Sequence, residues 1–370
     1  MNSIRLSYFM INLNAFPVYI PEDRQEGLPE VMSLSGGRSS AYALMALING
    51  GFGKSDNHYV LFQNMGDEDE TCYEFLNNIE IATGLNIKWL EYSLTPKFIE
   101  ELILKDFSYD KFHKCQYTSI YEILDVKKLQ SLTYEKSQNS FWYKEGYSDR
   151  GLNINEVNYN SASRNGKPMT DLFLYRCAIR LMKGEGLIMP AAGNRWCTGD
   201  GKEKVEHRYL ANKGIREFIS YKGMRIDEPD RIDKVKKKNN SQDKIWYDCP
   251  MEYLKTTKMD VMLSWAGQEI DLGNGGDGNN YFSDVVGNCT YCHLKTLLKK
   301  MYLFQIGYTS RLFMQIENIC NNYNGDVDAM NRKHGTYEMI EKKAKERGRI
   351  YEDEILSDEE KQISCFGCGG

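Results

Sequence analysis

The chain has 370 residues, 47 of them basic and 52 acidic, giving a formal charge of −5, and 41% are hydrophobic. That content supports one large or two ordinary cores and excludes a disordered chain, while the mild acidity excludes a surface uniformly coated with positive charge. The longest apolar runs fall far short of the about 18 to 20 residues of a membrane span. The first 30 residues lack the basic stretch, apolar core and cleavage site of a secretory leader, so a cytoplasmic protein with no membrane partner is expected.

Residues 1–30, with Pro17, Pro21 and Pro29, read as an N-terminal extension. Residues 31–35 form a short apolar run expected to be a buried strand. After Gly36-Gly37, residues 39–49 place Ala41, Leu44, Met45 and Ile48 on one helical stripe, and Gly50-Gly51 is a stop signal. Residues 59–62 predict a second strand, 70–82 a helix and 86–92 a third strand. Strand, helix, strand, helix, strand is the pattern of a parallel α/β sheet. Residues 93–185 read as an insertion, helical at first and polar over 134–168, where Tyr134, Phe141, Trp142, Tyr143 and Tyr147 could stack bases or, equally, form a packed aromatic insertion. Strands are expected at 217–221 and 245–249, and a helix at 256–265. The Gly-rich segment 273–280 reads as a connector, helices follow at 294–320 and 326–348, and residues 352–360 hold six acids and no base. The reading is a nucleotide-binding α/β domain over 31–270 and a cysteine-containing, mostly helical region over 271–370.

The sharpest local signal is Ser35-Gly36-Gly37-Arg38-Ser39-Ser40, set between a strand and a helix. Glycines let backbone approach an anion and adopt positive φ. Unpaired N–H groups at the following helix start point at that anion, and the helix dipole favours it. The serines add hydroxyl donors and Arg38 adds charge. The pattern is neither a Walker A loop nor a GxGxxG fingerprint.

Ser35–Ser40 resembles the SGGxDS pyrophosphate loop of the N-type ATP pyrophosphatase superfamily, within which the rest of the chain looks most like the phosphoadenosine phosphosulfate (PAPS) reductase family. Asn64–Thr71, containing Gly66, Asp67 and Glu70, looks like the family's DTG…ET segment. Arg195-Trp196-Cys197-Thr198, followed by Lys202 and Lys204, is similar to its cysteine-and-lysine segment. Gly223–Arg231, containing Arg225, resembles its GxRxxES…R segment, and Cys289 with Cys292 its late CxxC. These matches run in order from residue 31 to residue 295. Two departures are visible: Ser39 stands where the family loop has an acid, and the chain ends in Cys365-Phe366-Gly367-Cys368-Gly369-Gly370 instead of an ECGLH-type tail.

The resemblance implies a doubly wound parallel sheet of the adenine nucleotide alpha-hydrolase type. It implies ATP, or the sulfonucleotides PAPS and APS, held by Ser35, Gly36, Gly37, Arg38, Ser39, Ser40, Asn64, Gly66, Lys204, Gly223, Arg225 and Arg231. Ser35, Asp67, Glu70, Arg225, Cys365 and Cys368 are the catalytic candidates, with an acid of 67–70 positioning Mg2+.

Ten cysteines without a leader read as thiols, metal ligands or catalytic groups. CxxC spacing lets two sulfurs converge on one ion or cluster. Cys289, Cys292, Cys365 and Cys368, with Cys197 favoured by the resemblance, are therefore candidates for a [4Fe-4S] cluster or a zinc ion. Cys72, Cys115, Cys177, Cys249 and Cys320 read mostly as core residues. Lys202, Lys204, His207 and Arg208 could form an anion-facing surface, and the basic run Lys234, Lys236–Lys238 reads as a solvated stretch, with nucleic-acid contact as the alternative. The leading functional expectation is cleavage of ATP to AMP and pyrophosphate to activate an acceptor, nucleic acid among the candidates, for sulfur transfer from a donor protein. The alternatives are a sulfonucleotide reductase served by a thiol reductant, and a non-catalytic nucleotide-binding regulatory module.

Overall fold

Glu30–Leu34 is a strand (β1) buried at all five positions, and this explains its unbroken apolar character: a central parallel strand is covered on both faces. A computed structural model describes residues 10–21, 27–131, 151–190, 195–239, 244–272, 289, 292, 295–308, 311–325, 334–351 and 354–355. β1 lies between β2 (His58–Gln63) and β5 (Phe218–Tyr221), both parallel to it, with Met32 aligned on Val60 and on Tyr221. The sheet has six strands in the order β4-β3-β2-β1-β5-β6, with β3 at Ile87–Leu94, β4 at Leu152–Val157 and β6 at Ile245–Asp248. β4 is antiparallel to β3 and the other neighbours are parallel.

Helices cover both faces. On one side α1 (Arg38–Asn49) and α2 (Glu70–Thr83) pack with Trp265 into a core containing Met32, Leu34, Phe62 and Trp89. On the other side lie α3 (Pro96–Leu102), α4 (Tyr109–His113), α5 (Val126–Ser131), α6 (Lys167–Met182) and α7 (Lys204–Asn212), which share a core with Val31, Leu61 and Phe218. α8 (Pro229–Lys238) links β5 to β6, and α9 (Pro250–Tyr253) and α10 (Lys258–Trp265) follow. The α/β expectation therefore holds: a mostly parallel sheet flanked by helices, compatible with double winding.

Several expectations change. The helical stripe of α1 was too narrow, because Ala41–Leu47 are all buried and Ile48 is only half-buried. Within the N-terminal extension, Phe16 and Tyr19 join the core. Phe16 packs edge-on to Trp265 with ring centroids 4.9 Å apart, and the Asn49 side-chain amide donates to the carbonyls of Leu13 and Phe16. Within the expected polar stretch 134–168 the chain forms β4, whose burial is confined largely to Leu152, so its polarity is that of an edge strand. Residues 93–185 supply much of the second core. So do the C-terminal helices, because Leu303, Leu312, Ile316 and Tyr337 join it. The helix expected over 294–320 is two, α11 (Leu297–Gln305) and α12 (Arg311–Asn324), with Gly307 between them at φ +93°. From the stretch 326–348, α13 (Tyr337–Glu346) is seen. The segment 273–280, the aromatics of 134–147 and the tail cysteines lie outside the described residues.

Among the described residues no helix is long and apolar enough to cross a membrane.

Candidate functional site

The chain runs from β1 to β2 to β3 in one direction across the sheet, and from β5 to β6 in the other. The reversal falls between β1 and β5. In open α/β sheets ligands bind at the carboxyl ends of the strands at such a point. The loop after β1 and the loop after β5 meet there. Gly36 is the turn residue, with φ +79°, whereas Gly37 is extended at φ −106° and precedes the first residue of α1. The positive φ expected of the loop therefore sits at the first glycine. A β-carbon on Gly36 would lie 3.3 Å from the Cys72 β-carbon, so α2 presses against the turn. Ser35 and Ser40 close the loop: the Ser35 amide donates to Ser40 Oγ at 3.1 Å, the two hydroxyls are 3.0 Å apart, and Ser40 Oγ donates to the Gly37 carbonyl at 3.0 Å.

From the other side comes Gly223, where a β-carbon would lie 2.6 Å from the Ser40 Cα. Two residues on, Arg225 donates from Nη1 to Ser39 Oγ at 3.0 Å, while its Nε meets Asp227 at 2.9 Å and Nη2 lies 3.5 Å from Glu228. Arg231 also pairs with Glu228. The structure thus brings Ser35, Gly36, Gly37, Ser39, Ser40, Gly223 and Arg225 together, while Arg231 stands behind them on the shared carboxylate.

Other candidates are deployed differently. Arg38, expected to add charge to the loop, forms a bidentate pair with Asp271 at 2.7 Å through Nε and Nη2, and Nη2 also donates to the Leu272 carbonyl. As a phosphate ligand it would have to break that clamp. Asn64 is 1% exposed and its amide is consumed internally: Nδ2 donates to Glu91 and to the Ser163 carbonyl, and Oδ1 accepts from the Gly66 amide and the Tyr73 hydroxyl. It shapes the loop after β2 and has no capacity left for a nucleotide. Glu70, a catalytic candidate, is exposed at the start of α2, paired with Arg164 at 2.7 Å. Lys204 pairs with Asp200 at 2.5 Å and is 46% exposed. The expected anion-facing surface is therefore divided: Lys202 meets Glu68 at 3.4 Å, and Arg208 donates to the Tyr92 hydroxyl. In the basic run, Lys236 and Lys238 pair with Glu252 and Glu203.

The cysteines divide in an informative way. Glu68 forms an isolated antiparallel bridge with Cys289, which brings the late CxxC to the loop after β2. Burial pushes the Cys289 thiol well above its ordinary range, with Lys202 opposing and Glu68 and Cys292 adding to the shift. Burial also raises Cys197, with Cys292 the next contributor and Lys202 opposing. Cys197, Cys289 and Cys292 therefore share one electrostatic neighbourhood around Lys202. No group of three or more His, Cys, Asp or Glu among the described residues is arranged to hold a metal ion. Those residues alone do not make the expected cluster site. Cys72, Cys177, Cys249 and Cys320 are buried, as expected, and Cys115 is half-buried.

Sequence reasoning missed Glu206. It is 1% exposed on α7, beneath the point where β1 and β5 part. Burial pushes its carboxyl up, but Lys222 and the hydroxyls of Ser33 and Ser220 outweigh that and hold it below the usual range. Three lysines of the stretch after Cys292 are buried as well: Lys295, Lys299 and Lys300 are 6%, 7% and 0% exposed. No periodicity announces a buried lysine or glutamate.

Compared with known proteins, the chain matches no family model, no curated protein and no solved structure.

Proposed function

We propose that this chain binds an adenine nucleotide at Ser35–Ser40 and cleaves ATP between its α- and β-phosphates, activating an acceptor for sulfur transfer. This is the chemistry of the PAPS reductase-like members of the ATP pyrophosphatase superfamily that the sequence resembles. One observation carries the reading: the loops after β1 and β5 converge at the strand reversal, with Gly223 against Ser40 and Arg225 on Ser39. Backbone N–H groups at the start of α1 and the Arg225 guanidinium are then the donors of the two loops, a set suited to a diphosphate, while the Ser35 and Ser40 hydroxyls hold the loop closed.

In this mechanism an acceptor oxygen attacks the α-phosphorus and the bond to the bridging oxygen breaks. The electron pair leaves with pyrophosphate. The loop amides and Arg225 meet the charge that develops on the leaving group, and such fixed donors cost no reorganisation as it forms. A sulfur nucleophile from a donor then displaces AMP from the activated acceptor. Magnesium would be held by an acid of the 67–70 segment and nucleotide oxygens. The iron–sulfur proposal rests on Cys197, Cys289 and Cys292 with one tail cysteine, and no step is routed through it.

A second reading is favoured by Ser39. Its neutral hydroxyl, bonded to Arg225, stands where the resembled loop has an acid, which fits a regulatory module that binds nucleotide without turnover. Incubation of the full chain with ATP and magnesium separates the readings. Pyrophosphate release, or exchange of labelled pyrophosphate into ATP, supports the first. Tight nucleotide binding with neither supports the second. Thiol-dependent sulfite release from PAPS or APS would instead make the chain a sulfonucleotide reductase.

A further inference from the structure

Three polar residues face one side of three adjacent strands: Ser33 on β1, Gln63 on β2 and Ser220 on β5. They alternate in phase with Val31, Leu61 and Phe218, which places them on the face that α7 covers. All three reach Glu206. Ser33 donates to its Oε2, Ser220 Oγ donates to Oε1 at 3.1 Å, and Gln63 Nε2 lies 3.4 Å from Oε2. Lys222, 8% exposed, lies 3.5 Å from Glu206 Oε2 and donates to Ser33 Oγ at 2.9 Å. Ser33 thus accepts from the ammonium with its lone pair and gives its proton to the carboxylate.

Stability alone does not require this arrangement, because apolar side chains of similar volume often hold a core as well as a buried ion pair does. Its position is more telling. Lys222 directly follows β5 and precedes Gly223, the residue seated against Ser40. Ser33 lies in β1 two residues before Ser35, where the loop begins. The ammonium is therefore held near the carboxyl ends of β1 and β5, on a partner, Ser33, that lies two residues from the start of the Ser35–Ser40 loop. The carboxylate has more donors than one cation can explain. With Ser33, Ser220 and Gln63 in place, Glu206 stays hydrogen-bonded if Lys222 leaves it.

We propose that Lys222 is a reserve cation for the phosphates of the bound nucleotide and that Glu206 is the positioning residue that holds it in place until nucleotide draws it away. Phosphate binding draws the ammonium off the carboxylate, which the three strand residues continue to satisfy. The proposal rests on the nucleotide reading of the loop.

The test is calorimetric titration of the full chain with ATP, ADP, AMP and adenosine, beside thermal melting. Wild-type protein should bind more tightly as phosphates are added; no ATP binding at all would overturn the nucleotide reading itself, and this proposal with it. Glu206→Gln keeps a hydrogen-bonding side chain and releases the cation, so ATP affinity should rise several-fold. Lys222→Met should weaken ATP at least about tenfold while leaving adenosine unchanged. Because that variant strands a buried carboxylate, Lys222→Met with Glu206→Gln carries the test if the single variant fails to fold, and it should show the same ATP loss. If wild type binds ATP but the double variant binds it equally well, or if Glu206→Gln and Lys222→Met both lower the melting temperature without moving ATP affinity, the pair is a fixed structural bridge and the proposal is wrong.

Discussion

Gly223 and Ser40 lie so close that a β-carbon on the glycine would stand 2.6 Å from the Ser40 Cα. The neighbouring atoms are backbone, and backbone does not rotate out of the way as a side-chain tip can. The contact locks the end of β5 to the first turn of α1. Gly223→Ala should therefore push the two loops apart, at a cost of about 1 to 3 kcal/mol for an overpacked position. Urea denaturation measures that cost, and nucleotide titration of the folded fraction should show weaker binding. A stable variant with unaltered affinity would uncouple the two loops.

The phosphate loop makes a second prediction through its two unequal glycines. Gly36 holds φ +79° and Gly37 φ −106°. Gly36→Ala forces a left-handed residue and should destabilise the protein by about 1 to 2 kcal/mol. Gly37→Ala carries no such backbone penalty, so its effect should appear in ATP affinity more than in the denaturation midpoint. Equal midpoints for the two variants would contradict the turn geometry.

Arg225 connects the loops chemically, through Ser39 at 3.0 Å, and is oriented by Asp227 and Glu228. Arg225→Ala should weaken ATP binding by about 1.5 to 3 kcal/mol, the range for a charge-assisted contact. Arg225→Lys should recover only part of the loss, since an ammonium lacks the planar fork. Identical calorimetric affinities for wild type and Arg225→Ala would make it a surface ion-pair residue.

Metal content tests the cysteines. Anaerobically purified protein should contain iron, and Cys289→Ser and Cys292→Ser should each remove it, because a hydroxyl is a poor replacement for a thiolate. Cys320→Ser should leave metal unchanged, since that thiol is fully buried in α12 among apolar neighbours. Deleting residues 364–370 separates two roles for the tail: lost iron marks a ligand, whereas retained iron with lost turnover marks a nucleophile. Full iron retention in Cys289→Ser would leave the CxxC as ordinary core thiols.

His207 gives stability a pH dependence. Burial lowers its pKa, with Glu206 opposing and Lys222 reinforcing the fall. Phe218 packs on its ring at 5.9 Å, the Tyr247 hydroxyl lies 3.5 Å from Nε2, and Glu203 and Lys238 act as further charges. A histidine whose folded pKa lies below its unfolded value binds protons more readily when unfolded. Stability should be whole above the unfolded value of about 6.5 and fall as pH drops through it, levelling below the folded pKa. Denaturation midpoints between pH 7.5 and 5 (roughly the titration range of histidine) should show a smaller decline in His207→Gln than in wild type.

The sequence by itself determined the strand and helix succession of the first ninety or so residues. The Gly36-Gly37 turn, the Gly50 stop and the apolar runs of β1, β2, β5 and β6 are local signals, and each reports the conformation of its own few residues. It also marked the segments that meet at the strand reversal, because glycine, serine and arginine in fixed order carry their chemistry with them. It did not reveal β4, whose solvent-facing residues look like loop, or that Asn64 and Arg38 are consumed by Glu91 and Asp271. Glu206 was equally hidden, as was the burial of Lys222 and of the lysines after Cys292. A charged side chain reads as surface until its partners are known, and those partners stand on other strands and helices. Ser33, Gln63 and Ser220 come from distant parts of the chain and acquire a common purpose only when the sheet sets them side by side under α7. Local backbone preference is written residue by residue; the pairing that allows a charge to be buried is a property of the packed sheet, and only the tertiary structure decided it.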